Sequence, residues 1–138
     1  MKTRILLSSA IWALLEFRTA HAQEIIVNAS VKITEISKSD LGDIFTGASS
    51  NYEDGSRAVA VNLKTGPVRE ALLKNYVGKS DAAYCAAWRV LVFSGQSVMP
   101  KNFDTEVALI DYVAFVPGAI GYIGSPANSK KIKSLTVK

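Results

Sequence analysis

Histidine and cysteine are almost missing from this chain. His21 is the single histidine and Cys85 the single cysteine among 138 residues, and His21 falls in a segment that reads as a cleaved leader. Past that segment, a Cys/His metal centre, a Ser-His-Asp triad and a Cys-His dyad are all excluded by composition. A lone cysteine also excludes an intramolecular disulfide. In Ala82-Ala83-Tyr84-Cys85-Ala86-Ala87-Trp88 the thiol reads as a small packing group. Excess charge of one sign is scarce as well: 16 Lys and Arg face 12 Asp and Glu. Loss of Lys2, Arg4, Arg18 and Glu16 with the leader lowers the net charge from +4 to +2. That balance, with no basic stripe interleaved with aromatics, argues against a nucleic-acid partner. The one basic cluster, Lys130, Lys131, Lys133 and Lys138, reads as a solvated tail. Glu53-Asp54 sits beside Gly55 in a turn, the usual place for solvated acids. No acid pair announces catalysis, so the chain reads as a non-enzyme without a cofactor.

Long apolar runs are missing too. Lys2 and Arg4 precede an apolar stretch from Ile5 to Leu15, and Ala20-His21-Ala22 follows. This is the charged, apolar and small-residue order of a secretory signal peptide over residues 1–22. The stretch is well short of the about 20 residues that span a bilayer. Cleavage after Ala22 would leave Gln23 first, in the periplasm or the medium, with nothing spanning the membrane. No cysteine follows the cleavage point, which argues against a lipid anchor. Residues 23–138 then have the length of one domain with one core.

What is present alternates between strand and helix signals. Glu24 to Val31 is β-branched and reads as a strand. Ser39 is placed to cap a helix over Asp40 to Phe45, with Leu41, Ile44 and Phe45 on one face and Gly47 as its stop. Ala58 to Leu63 is a second strand. Gly66-Pro67 opens a helix whose inner face carries Val68, Leu72 and Tyr76, and Gly78 ends it. Asp81 would cap a longer helix to about Phe93, with Tyr84, Trp88, Leu91 and Val92 inward, stopped by Gly95. Asp104 would cap another, with Val107, Ile110 and Val113 or Ala114 inward. Pro117-Gly118 breaks it, Ile120 to Ile123 is a short buried strand, and Lys131 to Val137 alternates as an edge strand would. The fold class that follows is α/β, a small mixed sheet covered by helices.

The order of these pieces resembles the phosphate-binding (PstS-like) substrate-binding proteins of ABC transporters, and in particular short exported proteins with a single lobe. The matching residues are Ile36-Ser37-Lys38-Ser39-Asp40-Leu41 with Ile44-Phe45-Thr46-Gly47, Tyr52-Glu53-Asp54-Gly55, and Pro67-Val68-Arg69-Glu70-Ala71-Leu72. Trp88 with Phe93-Ser94-Gly95 and Pro100, and Val113 with Pro117-Gly118-Ala119-Ile120-Gly121-Tyr122, complete the set. The resemblance implies one lobe of a type II periplasmic-binding-protein-like fold over residues 23–138.

It also implies a site. In that family a strand runs into a Ser/Gly/Thr loop at a helix N-terminus, and the loop holds phosphate. Here the corresponding residues are Lys64, Thr65, Gly66 and Pro67. Thr65 would offer a hydroxyl, Gly66 an N–H, and Lys64 or Arg69 a positive charge, at the end of a helix that favours anions. The sequence departs from the family there: Pro67 removes a donor, and Val61-Asn62-Leu63 stands where an arginine is usual. Two readings of function stay open. One is an exported binding module for phosphate or another small anion, acting weakly or with a partner. The other is an interaction module, pairing with itself or with an envelope protein, that kept the fold and lost the ligand.

Overall fold

The computed structural model describes residues 23–127 and 129–138, so the expected signal peptide over residues 1–22 lies outside the described residues. The described chain builds one six-stranded mixed sheet and four helices in the order β1 (Glu24–Asn28), β2 (Glu35–Ile36), α1 (Lys38–Thr46), β3 (Val59–Leu63), α2 (Pro67–Leu72), α3 (Asp81–Phe93), β4 (Lys101–Phe103), α4 (Glu106–Phe115), β5 (Ala119–Ile123) and β6 (Ile132–Val137). A π-helical turn, Leu73–Val77, follows α2 directly. Across the sheet the strands run β2-β6-β1-β5-β3-β4.

Burial explains the two central strands. Ile25, Ile26 and Val27 are all buried, as is every residue of β5. Their sequences are continuous apolar runs because both sheet faces are covered. β1 pairs antiparallel with β5 and with β6, whereas β3 pairs parallel with β5 and β4. Successive residues of β5 face opposite layers. Gly121 faces α4, where an added Cβ would lie 2.8 Å from Leu109 Cδ2. Tyr122 faces α1, with its ring edge-on to Phe45 at 5.8 Å. Helices α1 and α3 therefore share one face of the sheet, and α4 covers the other.

Several expectations are corrected. The caps are Ser37 rather than Ser39, Ser80 rather than Asp81, and Thr105 rather than Asp104. Each winning hydroxyl sits on extended backbone and accepts the N–H three residues on, the arrangement an N-cap needs. In α4 the inward residues are Leu109 and Val113, while Val107 is 69% exposed. The hollow over Gly121 selects that face. In α3 only Tyr84 and Trp88 are buried, and Val92 points outward. The strand from Glu24 stops at Asn28, whose side chain accepts the Ser30 N–H and donates to the Val113 and Ala114 carbonyls at the end of α4. β6 is no edge strand: β1 lies along one side and β2 joins the other in parallel. The true edges, β2 and β4, are two and three residues long.

Candidate functional site

The segment from Asn62 to Arg69 carries β3 into α2. Lys64 N–H donates to the Phe103 carbonyl at 2.8 Å, extending the pairing with β4 by one residue. The backbone then turns at Gly66, whose φ of 109° and ψ of 172° lie where side chains other than glycine are strained. An added Cβ there would touch nothing within 4 Å, so conformation, not crowding, requires the glycine. Pro67 takes the first helical position.

Lys64 and Thr65 are exposed on this turn and Gly66 is half-buried. Among the described residues, the Thr65 and Gly66 N–H groups make no hydrogen bond within the protein. Lys64 Nζ lies 3.9 Å from Asp104, and both side chains are largely in solvent. These three predicted residues are thus together at the surface. Two larger hollows lie elsewhere. One of about 400 Å³ runs along Glu70, Lys74 and Lys79 to Asp81, and one of about 500 Å³ lies between Asn51, Trp88, Met99 and Tyr112.

Arg69 lies apart from them. It is 5% exposed and reaches back under the turn into the interior. Its Nε and one terminal nitrogen donate to Asp81 Oδ1 at 3.0 and 2.7 Å, and that nitrogen also approaches Cys85 Sγ at 3.8 Å. The other terminal nitrogen donates to the Leu63 carbonyl at 2.9 Å and to Asn102 Oδ1 at 3.4 Å. The guanidinium also lies 5.4 Å from the centre of the Tyr84 ring. Burial acts to lower its pKa, but the hydrogen bond and charge of Asp81 raise it further, so the guanidinium stays charged. Arg69 therefore braces β3, α3 and β4, and its donors are all directed at protein acceptors.

Sequence reasoning missed the polar network behind the turn. Asn62 is buried, donating to the Tyr84 hydroxyl at 3.0 Å and accepting from the Tyr122 hydroxyl at 3.2 Å. The Tyr122 oxygen accepts the Leu63 N–H at 3.1 Å. The Tyr84 hydroxyl and Trp88 Nε1 both donate to the Phe45 carbonyl, at 2.7 and 3.0 Å. This carbonyl in the last turn of α1 lacks an in-helix partner, so the two aromatic donors meet its need. Burial pushes the Tyr84 pKa up and takes Tyr122 to about 12. The available signal was Asn62 itself, the single polar residue in Ala58 to Leu63. Among the described residues, no group of three or more His, Cys, Asp or Glu side chains could hold a metal ion. No described helix is long and apolar enough to cross a membrane.

No family model and no curated protein matches the sequence. Solved structures do match the fold. A Clostridium perfringens protein described as a phosphate ABC transporter substrate-binding protein, with phosphate bound, superposes with a TM-score of 0.64 at 18% identity, over 83% of this chain and 44% of that one. PstS from Borrelia burgdorferi gives 0.60 at 20% identity, over 83% and 46%. An ABC-type phosphate transport receptor from Vibrio cholerae gives 0.53 at 13% identity, over 83% and 45%. At these identities the likeness establishes the fold, an α/β lobe of the periplasmic-binding-protein kind. The chain spans less than half the length of the structures it matches.

Proposed function

We propose that this chain is an exported, non-catalytic binding module that takes phosphate or another small oxyanion weakly at the Lys64–Gly66 turn. The observation carrying this reading is the Gly66 turn itself. It leaves the Thr65 and Gly66 N–H groups without protein partners beside the Lys64 ammonium and the Thr65 hydroxyl, in a fold shared with phosphate-binding proteins. Donors of this kind at a helix start favour an anion. The binding is weak because the turn is exposed on one wall only, and water competes for every donor. A second wall would have to come from another copy or from an envelope protein. Arg69 serves as a positioning residue that fixes the end of β3 through the Leu63 carbonyl.

A second reading has a specific observation in its favour. Arg69, the strongest anion ligand available, is neutralised by Asp81, and Pro67 brings no N–H. A lobe that lost its ligand and kept its fold would look this way. Titration calorimetry of the purified protein with inorganic phosphate at low salt separates the two. The first reading expects saturable heat with a Kd of about 1 mM, weakened at least about fivefold by Lys64→Ala and by Thr65→Val, since each removes one charge-assisted or neutral hydrogen bond. Heat unchanged by both substitutions removes the site from this turn. No heat with wild-type protein leaves the second reading in place. Arg69→Ala is expected to appear in the urea midpoint, because it leaves the Leu63 carbonyl and Asp81 without their donor.

A further inference from the structure

Two helices of this small protein are apolar on the side that faces water. Helix α3 points Tyr84 and Trp88 inward, and its opposite face presents Ala82, Ala86, Val90 and Phe93 with a single charge, Arg89. Val90 is 67% and Phe93 89% exposed. Helix α4 points Leu109 and Val113 inward, and its opposite face presents Val107, Ala108 and Phe115 with a single charge, Asp111. Phe115 is 86% exposed. A helix apolar all round ordinarily has both faces covered. Among the described residues, neither Arg89 nor Asp111 takes part in an ion pair.

We infer that the outer face of α3 in one copy of this chain docks antiparallel on the outer face of α4 in a second copy, with Arg89 against Asp111. The two faces are complementary in charge and in shape. With Arg89 opposite Asp111, a step of four residues, about 6 Å along each axis, sets Phe93 against Val107. The same step the other way sets Phe115 over Ala86 and Ala82. Each phenyl ring thus meets smaller side chains. A parallel arrangement would oppose the two rings instead.

The faces lie on opposite sides of the sheet, because α3 hangs on α1 through the Phe45 carbonyl while α4 packs over Gly121. One molecule therefore cannot exchange both contacts with the same partner. The contact is head-to-tail, and each copy is free to receive one neighbour on α3 and another on α4. A single helix pair covers roughly half of the about 800 Å² per partner in a standard interface. Association is accordingly modest, with a Kd on the order of 100 μM. The inference is independent of whether the Lys64–Gly66 turn takes an anion, since none of these residues belongs to that turn.

Sedimentation velocity on protein expressed from the full sequence and purified tests it, with circular dichroism to check that each variant is folded. Wild-type protein is expected to gain mass with concentration. Phe93→Asp, which spoils only the α3 face, and Phe115→Asp, which spoils only the α4 face, are each expected to stay monomeric. An equimolar mixture of the two retains one intact face of each kind and is expected to form dimers that grow no further. Arg89→Glu should weaken self-association at least tenfold, and Arg89→Glu combined with Asp111→Arg should recover it. Wild-type protein that stays monomeric to 10 times the expected Kd overturns the inference. So does a Phe93→Asp or Phe115→Asp variant that still dimerises by itself, or a mixture that remains monomeric.

Discussion

Arg69 and Asn62 show what a polar side chain does once this fold buries it. Each becomes a brace, and Tyr84 and Tyr122 are buried beside them, as Tyr52 is elsewhere against the Gly118 carbonyl. Burial raises the pKa of Tyr52, Tyr84 and Tyr122, with Tyr122 reaching about 12. In the unfolded chain these phenols ionise near 10. The native state therefore holds protons that the unfolded state gives up above pH 10. The stability tied to these groups is fully present below that pH and lost as pH climbs towards 12, at up to about 1.4 kcal/mol per pH unit for Tyr122. Urea midpoints between pH 9 and 12 should fall accordingly, and phenolate absorbance should rise together with unfolding. Tyr122→Phe should make the fall shallower. At this scale the Gly66-Pro67 turn was legible because it is encoded by its own neighbours. The bracing contacts of Arg69 were not, because Asp81 and Asn102 come to it only through tertiary packing.

At the scale of elements, Gly121 decides how α4 lies on the sheet. A Cβ there would come within 2.8 Å of Leu109 Cδ2 and 3.3 Å of both Val113 and Val61 side chains. Gly121→Val is expected to push α4 off the sheet and cost about 1–3 kcal/mol, read as a lower urea midpoint with little change in far-ultraviolet dichroism. The same glycine explains why periodicity misjudged α4. The sequence Val107-Ala108-Leu109-Ile110 is apolar at consecutive positions, so spacing alone cannot say which stripe faces in. The stops at Gly47 and Gly78 and the start at Gly66-Pro67 were easier to read, since these residues punctuate the chain locally, whereas the caps of α1, α3 and α4 each had a competing neighbour. The edge strands were hidden: Glu35-Ile36 and Lys101-Asn102-Phe103 are too short to show alternation, and without them β6 looked like an edge.

For the whole molecule, the α/β class followed from the alternation of strand and helix signals, while strand order depended on pairings far apart in the chain. Stability is spread unevenly over the result. One cluster joins both faces of the sheet to α1, α2 and α4, while Leu73, Tyr84 and Trp88 form a small cluster of their own that secures α3. Helix α3 rests on few buried side chains and should open without the rest. In native-state hydrogen exchange, its amides are expected to open at a lower free energy than those of β1 and β5, with a weak dependence on urea. Equal protection in α3 and β1 would mean that the small cluster unfolds only with the main one.

The position of β1 also bears on how the protein is made. It is the first of the described strands in chain order and sits inside the sheet, yet both strands that flank it, β5 and β6, come after every other described element. A chain still emerging from the ribosome carries Ile25-Ile26-Val27 with no neighbour to pair with. The sheet can close only once Ala119 to Val137 is available. Until then Ile25, Ile26 and Val27 have no strand on either side, and the nascent polypeptide keeps an apolar, unpaired segment open to association.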